Sequence, residues 1–279
     1  MENYKKQEAW WDNKGGFFGR NLYMRGDDNL EGYLLGADEA LNQRTKREAE
    51  GALRLAGINM PSKILDIPCG YGRHSCFFHK MGHTVLGIDI NEEHLDEAKK
   101  YAMSEEANNR YSRNLQFLKG DMRKLPKKIR SKFDLLTNMT LSFGFFEDEE
   151  ENVQSMREFY RTLREGGKLI LHTDVSPEII NSNVGYPLSE KRNLRDGGKL
   201  FINEKYDPIS KRLNGTWTLI GEKGEEEQLT PYSVRIYTAN EFMDMAREVG
   251  FKSAEVYGSF QGEKFDKNTS KEMILVAKK

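Results

Sequence analysis

Short apolar runs and longer segments with helical spacing alternate through the middle of the chain. A short apolar run bounded by glycine or charged residues predicts a buried strand, whereas apolar residues three and four positions apart predict a helix with one buried face. The predicted strands are 63–68, 84–90, 115–121, 133–139 and 168–174, and the predicted helices are 41–62, 73–81, 92–105 and 150–164. This alternation is typical of βαβ units, which build a parallel sheet with right-handed crossovers.

The pattern changes after residue 175. Between 176 and 238, polar and apolar residues alternate with a period of two, as in KLFINEKYDP and RLNGTWTLIG, which predicts an antiparallel β insertion. Residues 239–279 return to one helix and two strands, and residues 1–40 are aromatic and glycine-rich without a regular period. We therefore divide the chain into an aromatic arm or lid (1–40), a Rossmann-like core (41–175), the insertion (176–238) and the end of the core (239–279).

Composition narrows the class of protein. The 279 residues suit one large domain, or a core with a cap, and 37% of them are hydrophobic. No apolar run is long enough to cross a membrane, the N-terminal sequence MENYKKQEAWW lacks the apolar core of a signal peptide, and two cysteines are too few for a disulfide framework. These features predict a cytoplasmic protein without a membrane partner. The formal net charge of −1 disfavours a nucleic-acid partner.

The richest cluster of candidate functional residues follows the first predicted strand. Here the sequence runs Asp66-Ile67-Pro68-Cys69-Gly70-Tyr71-Gly72-Arg73. Gly70 and Gly72 allow a tight turn that a ligand can approach closely, and the helix that follows directs free N–H groups toward that ligand. Asp89, at the end of the second strand, can accept hydrogen bonds from ribose hydroxyls, and Asp121, at the end of the third, can accept from the amine of a base. Open α/β sheets bind their ligands at this edge.

Two kinds of nucleotide-binding fold place glycines at such a turn. A dinucleotide fold needs a third glycine, but Ser75 stands at that position, so an oxidoreductase is disfavoured. An acidic residue before the glycines instead resembles the first motif of class I S-adenosylmethionine (SAM) methyltransferases. Asp66, the glycine turn, Asp89, Gly120-Asp121-Met122 and Gly166-Gly167 follow in the order of that family, and the resemblance covers about residues 40–279.

The resemblance implies a fold, a cofactor and part of the cofactor's site. The fold is an α/β, doubly wound, Rossmann-like sheet of seven strands with an antiparallel last strand, here with the small antiparallel insertion after the fifth strand. The cofactor is SAM, and the product is S-adenosylhomocysteine. The residues that the resemblance places around SAM are Asp66, Gly70, Gly72, Asp89, Ile90, Asp121, Met122, Asn138 and Met139.

Segments outside the glycine turn resemble glycine N-methyltransferases and related small-molecule methyltransferases. The segment QRTKREAEGAL (43–53) is similar to a stretch whose arginine binds the SAM carboxylate, and Arg44 matches that arginine. Tyr23 and Tyr33 stand where that group has an arm that closes over the methyl donor. LSFGFF (141–146) resembles the stretch after the fourth strand, so we expect Phe143 and Phe145 to line a dry acceptor pocket.

The departures from that group indicate a different small-molecule acceptor. Asp174 stands in place of the arginine that holds the carboxylate of glycine, so we expect a cationic or hydroxyl-bearing acceptor rather than glycine. In-line SN2 methylation of an amine, such as an amino sugar, is the favoured reaction, and O-methylation of a hydroxyl or carboxylate is the alternative. His172 or Asp174 is the candidate base, and Arg235 and Tyr237 are candidate acceptor contacts.

These residues also have plain structural alternatives. His172 can be a buried histidine with satisfied hydrogen bonds, and Arg235 and Tyr237 can brace the insertion. His79 and His83 are four residues apart, but Gly82 interrupts the predicted helix between them, so we expect no metal site. A non-catalytic SAM-binding subunit is a further functional class, and the sequence leaves assembly into a homo-oligomer open.

Overall fold

The computed structural model describes residues 9, 11, 41–105, 114–193 and 198–279 of the chain. The arm predicted at 1–40, with Tyr23 and Tyr33, lies outside the described residues apart from positions 9 and 11.

Helices and strands alternate through the described residues up to 180, and a run of strands follows. The helices are α1 (Leu41–Ala56), α2 (Arg73–Lys80), α3 (Glu92–Glu105), α4 (Glu149–Thr162), α5 (Pro177–Ile180) and α6 (Ala239–Val249). The strands are β1 (Lys63–Asp66), β2 (Thr84–Asp89), β3 (Leu115–Lys119), β4 (Phe133–Asn138), β5 (Leu163–Thr173), β6 (Ser189–Asn193), β7 (Lys199–Asp207), β8 (Arg212–Ile220), β9 (Glu226–Gln228), β10 (Tyr232–Arg235), β11 (Ser253–Tyr257) and β12 (Met273–Lys278).

The main sheet has seven strands in the order β11-β12-β5-β4-β1-β2-β3. Strands β1 to β5 run parallel, and β12 pairs antiparallel with both β5 and β11. The strand order reverses direction between β1 and β4, where an open parallel sheet forms its ligand crevice. The predicted α/β fold, with seven strands and an antiparallel last strand, is confirmed.

Both faces of the main sheet are buried, which explains the continuous apolar runs of its strands. Successive residues of a strand point to opposite faces. Leu169 and Leu171 of β5 therefore belong to one core cluster with Phe159 of α4, whereas Ile170 belongs to the other with Phe78 of α2. With its faces covered by helices, the sheet exposes its functional side chains at the carboxyl ends of the strands.

The predicted antiparallel insertion is present as a second sheet, in the order β10-β8-β7-β6 with β9 beside β8. Residues 187–233 form one compact unit, and residues 42–186 and 234–279 form another. The alternating residues Leu200 and Ile202 of β7 face inward with Trp217 of β8 and Leu229. This small apolar cluster gives the insertion a core of its own.

The boundaries of several elements differ from the sequence prediction. Strand β3 ends at Lys119, so Asp121 lies in the following turn rather than at the strand end. Strand β5 begins at Leu163, directly after α4, and includes the glycine pair that was expected to precede it. The short helix α5 was not predicted, although Ser176 caps it and Pro177 occupies its first turn. No helix among the described residues is long and apolar enough to cross a bilayer.

Candidate functional site

The parallel strands bring five of the predicted site residues to one edge of the main sheet. Asp66, Asp89 and Asn138 are the last residues of β1, β2 and β4, and Asp121 and Asp174 follow β3 and β5 within two residues. Because neighbouring strands lie about 4.8 Å apart, this row of five strand ends is about 19 Å long. The sheet thus assembles residues that are more than 100 positions apart in the sequence.

The glycine turn after β1 adopts the backbone conformation that its residues predict. Gly70 and Gly72 have φ angles of 53° and 82°, in the left-handed region that glycine adopts without strain. A Cβ atom on Gly72 would also lie 2.9 Å from the ring of Phe117 and 3.0 Å from the Cβ atom of Ala98. Packing as well as backbone conformation therefore requires glycine at position 72.

Asp89 connects the glycine turn to the end of β2. Its Oδ2 atom accepts a hydrogen bond of 2.8 Å from the backbone N–H of Gly70, and its Oδ1 atom accepts one of 2.9 Å from Asn91. Burial raises the pKa of this carboxyl, and these backbone N–H donors oppose the rise. Each oxygen has a further lone pair for a ribose hydroxyl. The predicted neighbour Ile90 is half-buried beside it.

Asp66 is enclosed completely at the end of β1. Its two carboxylate oxygens accept hydrogen bonds from the hydroxyls of Ser75, at 2.6 Å, and Thr137, at 3.0 Å. Burial raises the pKa of Asp66 to about 6 despite these donors. Through these two hydrogen bonds the Asp66 side chain connects β1 to α2 and β4. In this structure it therefore stabilises the glycine turn.

Arg44 belongs to a buried network that the sequence analysis missed. Its Nε atom donates to Oε1 of Glu48 at 2.7 Å, while the other oxygen of Glu48 accepts from Nη1 of Arg73 and pairs with Nε2 of His74, both at 2.7 Å. Glu48 is shared among these three groups. The Nη2 atom of Arg44 is buried and has no partner among the described residues.

The charges of this network determine its protonation. Burial alone would raise the pKa of Glu48, but the guanidinium groups of Arg73 and Arg44 hold it well below its usual range. Burial and the charge of Arg73 lower the pKa of His74 to about 4, so its imidazole is neutral at pH 7. A buried guanidinium that shares one carboxylate with a second guanidinium favours an additional anionic ligand.

Asp121 and Met122 lie in the turn after β3, both half-buried. The carboxylate of Asp121 pairs with Nε and Nη2 of Arg123, the latter at 2.6 Å, and Arg123 also reaches Glu151 at 2.8 Å. The Arg123 guanidinium lies 4.4 Å from the centre of the Phe146 ring. These contacts fix the orientation of the Asp121 carboxylate at the sheet edge.

The end of β4 supplies Asn138 and Met139. Nδ2 of Asn138 donates to the carbonyl oxygens of Ile67, at 2.8 Å, and Ser142, at 3.2 Å, whereas its Oδ1 atom is buried without a partner among the described residues. Met139 is buried in the core cluster on the α1 side of the sheet. Asn138 therefore presents one unused acceptor beside the glycine turn.

A small pocket opens beyond the ends of β4 and β5 and brings several predicted residues together. Its lining residues are Leu141, Phe143, Leu171, His172, Thr173, Val175, Arg235, Ile236, Tyr237 and Phe242. Phe145 is buried but does not line this pocket. Asp174, which lies between Thr173 and Val175, is half-buried, and its carboxylate has no hydrogen-bond or ion-pair partner in the described ranges.

The side chains of Arg235 and Tyr237 are engaged within the protein. Nη2 of Arg235 lies 2.6 Å from Oε1 of Glu241, and its guanidinium lies 4.2 Å from the centre of the Tyr237 ring. The Tyr237 hydroxyl donates to Glu149 at 3.1 Å, and its ring packs on Phe143. These contacts hold the polar groups of the two residues beside the pocket, and the partners Glu241 and Glu149 both lie outside the predicted insertion.

His172 is the most enclosed of the predicted catalytic residues, with 1% of its side chain exposed. Its Nδ1 atom accepts a hydrogen bond of 3.3 Å from the backbone N–H of Thr140. Its Nε2 atom lies 3.2 Å from Oε2 of Glu272 without forming a hydrogen bond of good geometry. The ring packs on Phe260 with 5.0 Å between ring centres.

Similarity to known proteins supports the resemblance. Residues 64–167 match the model of a family described as a methyltransferase domain. The chain is 26% identical over 147 residues to the glycine/sarcosine N-methyltransferase of Aphanothece halophytica, covering 52% of this chain and 53% of that protein. It is 25% identical over 224 residues to the cypemycin N-terminal methyltransferase of a Streptomyces species, covering 76% and 81% of the two chains.

The fold is similar to that of solved methyltransferases. The CcbJ methyltransferase from Streptomyces caelestis matches with a TM-score of 0.70 and 18% identity over 91% of this chain and 96% of that one. The alignment with the glycine/sarcosine enzyme spans about half of that relative's length, so the likeness to it concerns the core. We conclude that residues 64–167 form a methyltransferase domain, and that this match, these relatives and the seven-stranded sheet together support a class I SAM-dependent methyltransferase.

Proposed function

We propose that the protein methylates the amine nitrogen of a small molecule, with SAM as the methyl donor. The observation that carries the proposal is the buried Nη2 atom of Arg44, which has no partner among the described residues. A buried guanidinium nitrogen without a hydrogen-bond partner favours an anionic acceptor, and a carboxylate is the group that the fork geometry of the guanidinium fits best. SAM carries such a carboxylate on its methionine part.

The other residues at the sheet edge fit the remaining parts of the cofactor. Gly70 and Gly72 give the turn its left-handed backbone at the ligand edge of the sheet, and Asp89 has lone pairs for two ribose hydroxyls. Asp121, oriented by Arg123, offers an acceptor for the adenine amine, and Met122 lies next to it. When bound, the sulfonium group of SAM supplies an electrophilic methyl group.

The acceptor class rests on Asp174 and on the relatives. The carboxylate of Asp174 has no partner in the described part of the chain, so it is available to a cationic amine. The two relatives reported above are named a glycine/sarcosine N-methyltransferase and a cypemycin N-terminal methyltransferase, and the first of these names supports a nitrogen acceptor. An amine held by Asp174 satisfies both observations.

For methyl transfer from SAM, the main tasks of the protein are to align the acceptor with the methyl group and to exclude water. The reacting nitrogen, the methyl carbon and the sulfur must lie in line, and a fixed geometry can supply a large part of the rate enhancement. The buried rings of Phe143, Tyr237 and Phe242 form a dry wall for this step. An ammonium acceptor must also lose a proton before it attacks, and we assign that role to Asp174, whose carboxylate has no partner in the described part of the chain.

Calorimetry with wild type and Arg44→Met tests the cofactor half of the proposal. SAM affinity should fall at least about tenfold in the variant, because a hydrogen bond to a charged group contributes roughly 1.5–3 kcal/mol. The affinity for 5′-methylthioadenosine, which lacks the carboxylate, should stay the same. Equal losses for both ligands would show that Arg44 acts on the fold rather than on the carboxylate.

A methyl-transfer assay with Asp174→Asn tests the acceptor half. Mass spectrometry of a panel of amines and matched alcohols should show methylated amine with the wild type. The variant should raise the acceptor KM at least about tenfold and leave SAM affinity unchanged, because a charged contact is lost. Glu165→Gln, at the opposite end of β5, is the matched control. Methyl transfer to oxygen alone would overturn the proposal.

A further inference from the structure

Two residues in succession after β4 have left-handed backbone conformations. Thr140 has a φ angle of 55° and Leu141 one of 49°, although neither is glycine. β-Branched and bulky residues rarely adopt this region, because Cβ crowds the following carbonyl oxygen, and such a turn persists only where its surroundings hold it. Leu141 lines the pocket beyond the ends of β4 and β5, which we take as the acceptor pocket of the proposed function, so the shape of the pocket depends on this turn.

His172 holds this turn from the neighbouring strand. Its Nδ1 atom accepts from the backbone N–H of Thr140 at 3.3 Å, and its carbonyl oxygen accepts from the backbone N–H of Leu141 at 3.2 Å. Both backbone donors of the strained pair therefore bind to one residue. A ring nitrogen that accepts from a backbone N–H carries no proton itself, so the neutral ring has its proton on Nε2.

The Nε2 side of the ring faces a carboxylate of its own. Oε2 of Glu272 lies 3.2 Å away, and Oε1 of Glu272 accepts from the backbone N–H of Phe260 and pairs with Arg47 at 3.5 Å. Burial alone would raise the pKa of Glu272, but its pairing with His172 and Arg47 holds it below its usual value. An ionised carboxylate at this position favours the Nε2–H tautomer.

A second contact ties the turn to the glycine motif. Nη2 of Arg73, the residue after Gly72, donates to Oγ1 of Thr140 at 3.2 Å. The turn is thus held between β5 on one side and the start of α2 on the other.

We propose that His172 is a positioning residue that holds the Thr140–Leu141 turn against the acceptor pocket, and that it does not accept the proton of the methyl acceptor. Its Nδ1 lone pair is used by Thr140, and its Nε2–H faces Glu272. This inference rests on the proposed function and revises the role predicted for His172 from the sequence. Asp174 is then the remaining candidate for the proton-accepting role.

Two substitutions of matched size separate positioning from base catalysis. In His172→Asn the side-chain oxygen can take the place of Nδ1 and accept from Thr140, whereas in His172→Gln the amide reaches the position of Nε2 and loses this contact. We expect His172→Gln to raise the acceptor KM at least about tenfold with SAM affinity unchanged, and His172→Asn to recover most of that loss. If both variants lost kcat by about a hundredfold or more, the size expected for a missing general base, the proposal would be wrong.

Two NMR measurements test the proposal without turnover. Nitrogen-15 spectra of the His172 ring in the wild type should show the proton on Nε2, with and without SAM. The backbone N–H of Thr140 should exchange with solvent faster in His172→Gln than in the wild type or His172→Asn. A proton on Nδ1, or equal exchange in all three proteins, would overturn the positioning role. If the wild type gives the expected result in both NMR measurements but methylates no amine, the proposed function is wrong and the positioning role of His172 stands.

Discussion

The Nε atom of Arg44 lies 2.7 Å from Oε1 of Glu48, and 4% and 1% of the two side chains are exposed. The other oxygen of Glu48 meets Arg73 and His74, which begin α2 directly after the glycine turn. One carboxylate therefore joins the arginine proposed to bind the cofactor to the turn proposed to surround it. Removing charge from one partner of a buried ion pair leaves the others desolvated and uncompensated.

Glu48→Gln should consequently lose both stability and cofactor affinity. We expect the free energy of unfolding to fall by about 3 kcal/mol, because two buried guanidinium groups lose their shared anion. SAM affinity should fall about tenfold as Arg44 loses its orientation. Glu50→Gln is the control on the same helix, since 44% of the Glu50 side chain is exposed and it lies 4.0 Å from Lys46, and it should change stability by less than about 0.5 kcal/mol. Urea denaturation and calorimetry measure the two effects, and equal behaviour of the two variants would contradict the prediction.

Alanine substitutions at Gly72 and Gly82 should separate packing from backbone strain. Both glycines have left-handed φ angles, of 82° and 91°, so both substitutions should cost about 1 kcal/mol from strain. At Gly82 a Cβ atom meets nothing within 4 Å, whereas at Gly72 it meets Phe117 and Ala98 at 3.0 Å or less. Gly72→Ala should therefore cost about 2 kcal/mol more in urea denaturation. SAM binding should weaken only in Gly72→Ala, and a loss shared by both variants would indicate strain alone.

Local sequence pattern was sufficient to predict a parallel α/β sheet and the row of residues at its edge, whereas the seven strands and the antiparallel last strand came from the family resemblance. Strands buried on both faces have continuous apolar runs, and parallel strands end at one edge whatever lies between them. Asp66, Asp89 and Asn138 could thus be placed together without knowing any contact. The left-handed glycines were predictable for the same reason, because their conformation is a local property.

The partners of these side chains were not predictable from pattern. The i,i+4 spacing of Arg44 and Glu48 on a helix was a visible signal for their ion pair, but the choice of Arg73 and His74 as further partners depends on how two helices pack. His172 and Glu272 are 100 positions apart and meet only because β5 and β12 pair. Arg235 and Tyr237 lie at the pocket as expected, yet their polar groups contact Glu241 and Glu149.

Asp66→Asn should alter how stability depends on pH. Burial raises the pKa of Asp66 to about 6, above its value in the unfolded chain, so the folded state resists ionisation. The wild type should therefore lose stability relative to the variant as pH rises, by about 2 kcal/mol between pH 4.5 and pH 7.5. Thermal unfolding without cofactor measures the difference. Asp134 should behave in the opposite way and at lower pH: relative to Asp134→Asn, the wild type should lose stability as pH falls below about 4, because despite its partial burial the backbone N–H of Lys63 and the charge of Arg164 lower the pKa of Asp134.

His74→Gln should protect the protein at acid pH. Burial and the charge of Arg73 lower the pKa of His74 to about 4, whereas the unfolded chain binds this proton at about pH 6.5. Protons therefore favour the unfolded state between these values, and wild-type stability is fully present above pH 6.5 and lost as pH falls toward 4. Glutamine keeps a donor for Glu48 but does not titrate. Relative to wild type, the variant should gain about 2 kcal/mol between pH 7.5 and pH 5, measured by urea denaturation at each pH. If the difference in unfolding free energy between variant and wild type stays constant across this pH range, the pKa of His74 is the same in the folded and unfolded states. The pairing of His74 with Glu48 would then offset the effect of its burial.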